Sequence, residues 1–131
     1  MKAIIDFCVA HVGIPYKQKP PFSMELGYDC LEWCKIVYNL ADIKVQHSLD
    51  DLKLYTKQFR KLDPSEPVKL LDIALFYVQL IGERHVGLML DERTMSHCTI
   101  ATNGVTISDI SRYPWKQDFK GFYRFNENFS R

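Results

Sequence analysis

No stretch of this chain is apolar for long enough to cross a membrane. The opening Met1-Lys2-Ala3-Ile4-Ile5-Asp6 also lacks the apolar core and cleavage site of a secretory signal. Such a chain is expected to be made in the cytoplasm, so that virion association or a non-Sec route would carry it out. Charge of one sign never accumulates: 17 Lys and Arg stand against 16 Asp and Glu, for a net charge of +1. That balance argues against nucleic acid or an anionic membrane surface as a charge-driven partner. Internal repeats and low-complexity segments are missing as well. The four cysteines, without a secretory signal, read as thiols rather than as a disulfide framework. Cys8 and Cys98 are expected as small core residues, and Cys34 as buried one turn beneath Cys30.

What remains is an ordinary globular composition. At 131 residues, 47% hydrophobic and 25% charged, the chain is expected to form one domain, residues 1–131, with a core that needs no staples. A monomer is the default expectation. Residues 2–12 read as a first helix with Ile4, Phe7, Cys8 and Val12 inward, closed by Gly13 and Pro15. His11 shares that stripe and is expected to be structural. Residues 16–28 form a loop, because Pro20-Pro21, Ser23 and Gly27 oppose regular structure. Residues 30–41 form a second helix. Its only polar stripe is Glu32, Lys35, Asn39 and Asp42, so most of its surface must be buried. Ser48-Leu49-Asp50-Asp51 reads as the cap of a third helix ending near Phe59, with His47 just outside it on the surface.

The break at Asp63-Pro64-Ser65-Glu66-Pro67 ends the helical half. Residues 70–80 read as a central strand, apolar on both faces. Further strands are expected over 85–90, 94–99, 105–109 and 119–125, with residues 111–116 as a loop or short turn. The order gives an α+β domain: N-terminal helices on a five- to six-stranded, mainly antiparallel sheet.

Chemistry concentrates at Tyr28-Asp29-Cys30. Cys30 falls in the first turn of a helix, where unpaired N–H groups and the positive end of the dipole favour a thiolate. If Asp91, Glu92 and Arg93 form a hairpin loop, Leu90 pairs with Thr94, Met89 with Met95 and Gly87 with His97. His85, Gly87, Met89, Met95, His97 and Thr99 then share one face of the sheet, and the two imidazoles can bridge the diagonal. Gly87 leaves an open spot beside His85 where a helix end could approach. Cys30 as nucleophile, His85 as base and His97 as the group that orients it form a thiol-hydrolase constellation, with the Cys30 N–H as oxyanion donor. A zinc site of Cys30, Cys34, His85 and His97 or Cys98 competes with this. However, Cys30 and Cys34 are separated by three residues inside a helix rather than forming a tight knuckle. A binding module presenting Trp33, Trp115, Tyr113 and Phe119 is a third possibility.

The same residues resemble a known family over nearly the whole chain. Gly13-Ile14-Pro15-Tyr16, Tyr28-Asp29-Cys30, Leu71-Asp72-Ile73-Ala74-Leu75-Phe76, His85-Val86-Gly87-Leu88-Met89-Leu90, His97 and Gly121-Phe122-Tyr123-Arg124-Phe125 are similar to the NlpC/P60 family. These are bacterial cell-wall cysteine peptidases of papain-like architecture. The resemblance implies Cys30 as nucleophile, His85 as base and His97 as the third polar member. It puts Tyr16 and Asp29 beside them, toward substrate or oxyanion. It also implies a peptidoglycan stem peptide as substrate, typically cut between D-glutamate and a diamino acid, with no metal and no cofactor. Leu31 and Glu32 stand where family members that read the stem peptide's free amine carry a small hydroxyl residue and often glycine. Lys17-Gln18-Lys19-Pro20-Pro21 likewise replaces a glycine pair and tryptophan. The substrate-reading positions are therefore expected to differ, and another amide substrate is the alternative.

Overall fold

In the computed structural model, which describes residues 2–44 and 58–126, two helices pack on one face of a six-stranded antiparallel sheet. The elements are α1 (Lys2–Ala10), α2 (Cys30–Leu40), β1 (Phe59–Lys61), β2 (Ile73–Val78), β3 (Glu83–Met89), β4 (Thr94–Thr99), β5 (Gly104–Asp109), α3 (Trp115–Asp118) and β6 (Phe119–Phe125). The strands run in the order β1-β6-β2-β3-β4-β5. The expected helix cap at Ser48 and the site of His47 lie outside the described residues. Phe59 itself begins the edge strand β1, opposite Phe125, rather than ending a helix. Among the described residues no helix is long and apolar enough to cross a membrane.

α2 starts where Asp29 leaves helical geometry and its carboxylate accepts the Glu32 N–H, at 2.7 Å. Trp33, Cys34, Val37 and Tyr38 then fall on one face, all fully buried. With Ile4 and Cys8 of α1 they meet Ile73, Val86, Leu88, Leu90 and Cys98 from the sheet. α1 is shorter than its periodicity suggests. It stops at Ala10, and Val12 is 51% exposed, because Gly13 N–H bonds to Val105 O and Ile14 O accepts from Val105 N–H. The chain leaves the helix to extend the edge of β5. Gly27 closes the following loop at φ +116°, so near the Pro15 carbonyl that a Cβ would overlap it.

β2 is likewise shorter than the apolar run that contains it. Leu71 takes φ +77°, and the Asp72 carboxylate accepts from Lys69 N–H and from Arg124 Nε and Nη2, each at 2.8 Å. This turn and ion pair hold residues 69–72 out of the strand. At the other end Leu80 lies in the β2–β3 turn, almost fully exposed. The second sheet face carries Ala74, Phe76, Met89 and Met95, covered by Trp115. Both faces of the central strands are thus buried.

Candidate active site

β2 pairs with β3, and β4 with β5, through six residues each. Among the described residues, the β3–β4 register instead runs only through Leu88↔Ser96 and Met89↔Met95. From Gly87 and His97 onward these two strands are no longer paired. This corrects the expected Gly87–His97 pair: the register is right, but the ladder stops one step short of it.

The two imidazoles bridge the opening. His85 Nε2 lies 2.8 Å from His97 Nδ1, and His97 Nε2 lies 2.8 Å from Ser108 Oγ on β5. Trp115 stacks on His85 with centroids 5.3 Å apart and meets the His97 ring edge-on at 4.9 Å. His85 is 6% exposed and His97 0%. Burial pulls the His85 pKa down to about 4 and holds His97 well below the ordinary imidazole range, with His85 adding to the effect. Both rings are therefore neutral at pH 7, which leaves one nitrogen of each able to accept a proton.

Three contacts set the direction of α2 over the sheet. Tyr28 O, just before the helix, accepts from Cys98 Sγ at 3.0 Å; Trp33 Nε1 donates to Ser96 Oγ at 2.9 Å; Tyr38 OH donates to Leu71 O. The helix thus runs antiparallel to β4, and its first turn lies at the end of the sheet where β4 finishes and β3 begins. That is the open end. Cys30, half-buried, stands about 4.5 Å of helix rise ahead of Trp33. Tyr16 reports the same convergence from the side. Its phenol pKa is raised by burial, then by Cys30 and Asp29 at the helix start and by Glu83 at the start of β3.

The arrangement corrects the sequence reading in a second respect. The histidines occupy the face that carries Phe76, Met95 and Trp115, whereas α2 buries its apolar side on the opposite face. The spot above Gly87 is filled by Met95, whose sulfur a Cβ on residue 87 would overlap; among the described residues no helix end sits there. Leu31 packs against the helix-side core, and the Glu32 carboxylate pairs with Lys35 at 3.2 Å.

The competing constellations fare differently. Among the described residues no three His, Cys, Asp or Glu side chains converge as a metal-binding group. Cys34 is fully buried, and Cys98 faces the helices while His97 faces away from them. Of the aromatics considered as a display surface, Trp33 and Trp115 are buried, Phe119 is half-buried, and Tyr113 is 79% exposed. Ser108 is the contact that sequence reasoning missed. Pairing β4 with β5 by the same parity that paired β3 with β4 would have placed it on the histidine face.

The NlpC/P60 family profile matches residues 13–124. The chain belongs to the NlpC/P60 family. Members of this family are cysteine peptidases and hydrolases. Among solved structures, an NLP/P60-family protein of Staphylococcus aureus described as similar to lipoprotein superposes with a TM-score of 0.73 at 19% identity, over 97% of this chain and 41% of that one. The peptidoglycan hydrolase RipB of Mycobacterium tuberculosis gives 0.60 at 22% identity, over 93% of this chain and 62% of its own. The NlpC/p60 domain of the peptidoglycan hydrolase SagA gives 0.62 at 18%, over 93% and 95%. At these identities the likeness is one of fold. This chain spans less than two thirds of the staphylococcal protein and of RipB. No curated protein matches the sequence.

Proposed function

We propose that this chain hydrolyses an amide bond through an acyl-thioester on Cys30, with peptidoglycan stem peptides as the substrate class. The carrying observation is the bonded and buried His85–His97 pair, at the end of the sheet where β3 and β4 part and α2 begins. His85 Nδ1 takes the Cys30 proton, and the thiolate attacks the carbonyl carbon. The resulting imidazolium returns that proton to the departing amine, leaving the acyl group on sulfur. Water, deprotonated by the same nitrogen, then releases the acid. His97 holds the His85 ring and accepts from its Nε2–H throughout. The backbone N–H of Cys30 serves the oxyanion.

RipB and the SagA domain, both described as from peptidoglycan hydrolases, support the substrate class. The narrower reading is cleavage between D-glutamate and a diamino acid. Leu31 and Glu32 belong to the helix's own packing and ion pairing, so they offer no small hydroxyl to a substrate amine. A stem peptide whose terminal L-alanine amine is blocked is therefore expected to be cut as readily as one with a free amine. Digestion of defined muropeptides of both kinds, read by mass spectrometry, tests this. Cys30→Ala should abolish cleavage without unfolding the protein, while Cys34→Ala should retain it. His97→Asn should be milder than His85→Ala. Full turnover by Cys30→Ala would end the proposal.

A further inference from the structure

A histidine pair can be ordered in two ways, and only one of them is a base. With His85 Nε2 against His97 Nδ1, a single proton lies between the two neutral rings. If His85 carries it, His85 Nδ1 keeps a lone pair and can take a proton from a thiol. If His97 carries it, His85 is protonated on Nδ1 and has nothing to accept with. The choice turns on the group one step further out, the Ser108 hydroxyl, which can accept from His97 or donate to it. When His97 Nδ1 accepts, its own proton must sit on Nε2, 2.8 Å from Ser108 Oγ. His97 is fully buried, so that N–H would otherwise have no partner.

We infer that Ser108 is a positioning residue. By accepting from His97 Nε2–H, its hydroxyl fixes the tautomers of both histidines and keeps the lone pair on His85 Nδ1. The inference rests on the cysteine-hydrolase reading for its consequence but not for its geometry. Ser108 is half-buried on β5, opposite Met95 and on the histidine face, so its own O–H can turn to solvent while its lone pairs face His97. The order also suits the catalytic cycle. When His85 becomes imidazolium it carries protons on both nitrogens and needs an acceptor at His97 Nδ1. The same His97 tautomer, held by the same hydroxyl, supplies it. No hydrogen bond among His85, His97 and Ser108 has to reverse between the resting and charged states of the site.

Ser108→Ala removes the acceptor. The buried His97 Nε2–H is then unpaired, and the proton order inverts toward His97 Nδ1–H, which donates to His85. An unmade buried hydrogen bond corresponds to a loss on the order of 10- to 100-fold in the active tautomer, hence in kcat, with KM little changed. Ser108→Thr keeps the hydroxyl at a strand position that favours β-branching and should restore both. The direct measurement needs no substrate: long-range 15N–1H NMR of the imidazoles in the whole protein, before and after each substitution. The expected result is Nε2–H on both His85 and His97 in the original protein and in Ser108→Thr, and Nδ1–H on His97 in Ser108→Ala. Unchanged His97 tautomers in folded Ser108→Ala would overturn the inference, whatever the activity. If the tautomers shift as stated and no amide substrate is ever cleaved, the proton order stands and the hydrolase reading fails. The two claims therefore fall separately.

Discussion

The buried imidazole of His85 should make the protein acid-sensitive in a window above that of Glu66, Asp91 and Asp109, the carboxylates that their partners hold low. In the unfolded chain a histidine takes up its proton near pH 6.5, but in the fold burial delays this to about pH 4. Between these values the unfolded state binds a proton that the native state refuses, so stability falls as pH falls. It is complete above about 6.5, declines by about 1.4 kcal/mol per pH unit, and levels off below about 4. By pH 4.5 the loss from His85 alone amounts to about 2 to 3 kcal/mol, a sizeable share of the 5 to 15 kcal/mol typical of a domain. His97 pushes in the same direction. The paired carboxylates enter later: Glu66, held to about 2 by Arg60, loses its advantage as pH falls from its ordinary value of 4.5 toward 2.

The test is urea unfolding of the wild-type chain and of His85→Gln at pH 7.0 and 4.5. Gln keeps a donor toward His97 but does not titrate. The wild type should lose about 2 to 3 kcal/mol more than the variant over this interval. Parallel losses would refute the reasoning, since they would mean that His85 titrates alike in both states. A gain of the wild type over the variant on acidification would refute it in an informative way. His85 would then hold its proton in the resting fold, as an imidazolium paired with a thiolate would, and Cys30→Ala should erase the gain.

Three further outcomes follow from packing and polar contacts. Gly87→Ala should cost about 1 to 3 kcal/mol in urea unfolding, because its Cβ overlaps the sulfur of fully buried Met95. Much of that should be absent in a Met95→Ala background, as a double-mutant cycle would register. Asp72→Asn should destabilise by about 3 kcal/mol by the same measurement, since it strips the buried partner from the Arg124 guanidinium that ties β6 to the turn before β2. Asp29→Ala should cost about 1 kcal/mol by removing the N-cap of α2, and Asp29→Ser should recover most of it, again by urea unfolding.

Much of the fold was legible because its strongest signals are local. The polar stripe of α2 identified a buried helix. Turn residues bracketed β4 and β6 at the residues where they are observed, and strand parity brought His85 and His97 together. What escaped depends on distant parts of the chain. β1 has three residues, and its pairing with β6 near the far terminus makes it a strand, so after an expected cap at Ser48 its apolar start reads in sequence as a helix end. Leu71 and Leu80 extend the apolar run of β2 in sequence but not in space. The turn that excludes Leu71 is fixed by Arg124, a residue of β6. Alternation sorted the side chains of β3 and β4 into two sets but could not say which set meets the helices. Both faces are buried, one by α1 and α2 and the other by Trp115, so neither set is marked by polarity.

That ambiguity bears on the proposed chemistry, because Cys30 packs with the helix-side core and His85, its proposed base, lies on the Trp115 face. A continuous sheet would keep them apart, since a paired ladder leaves no passage between strands about 4.8 Å apart. The parting of β3 from β4 beyond Leu88 and Ser96 removes that barrier at the end where α2 starts. Unpaired backbone would ordinarily make such an opening costly. Here part of the lost ladder is made good around the gap. Side chains bridge it through His85, His97 and Ser108, Met95 covers Gly87, and the Gly13–Ile14 segment and Tyr28 bond to the ends of β5 and β4 from outside. The histidine bond is thus both a structural tie and the contact that orients the proposed base. This predicts that substitutions at His97 will loosen the β3–β4 end as well as slow turnover. Asn at position 97, too short to span the same gap to Ser108 and His85 together, should show faster amide exchange at residues 85–87 than wild type. Unchanged exchange there would separate the two roles and leave His97 with the chemistry alone.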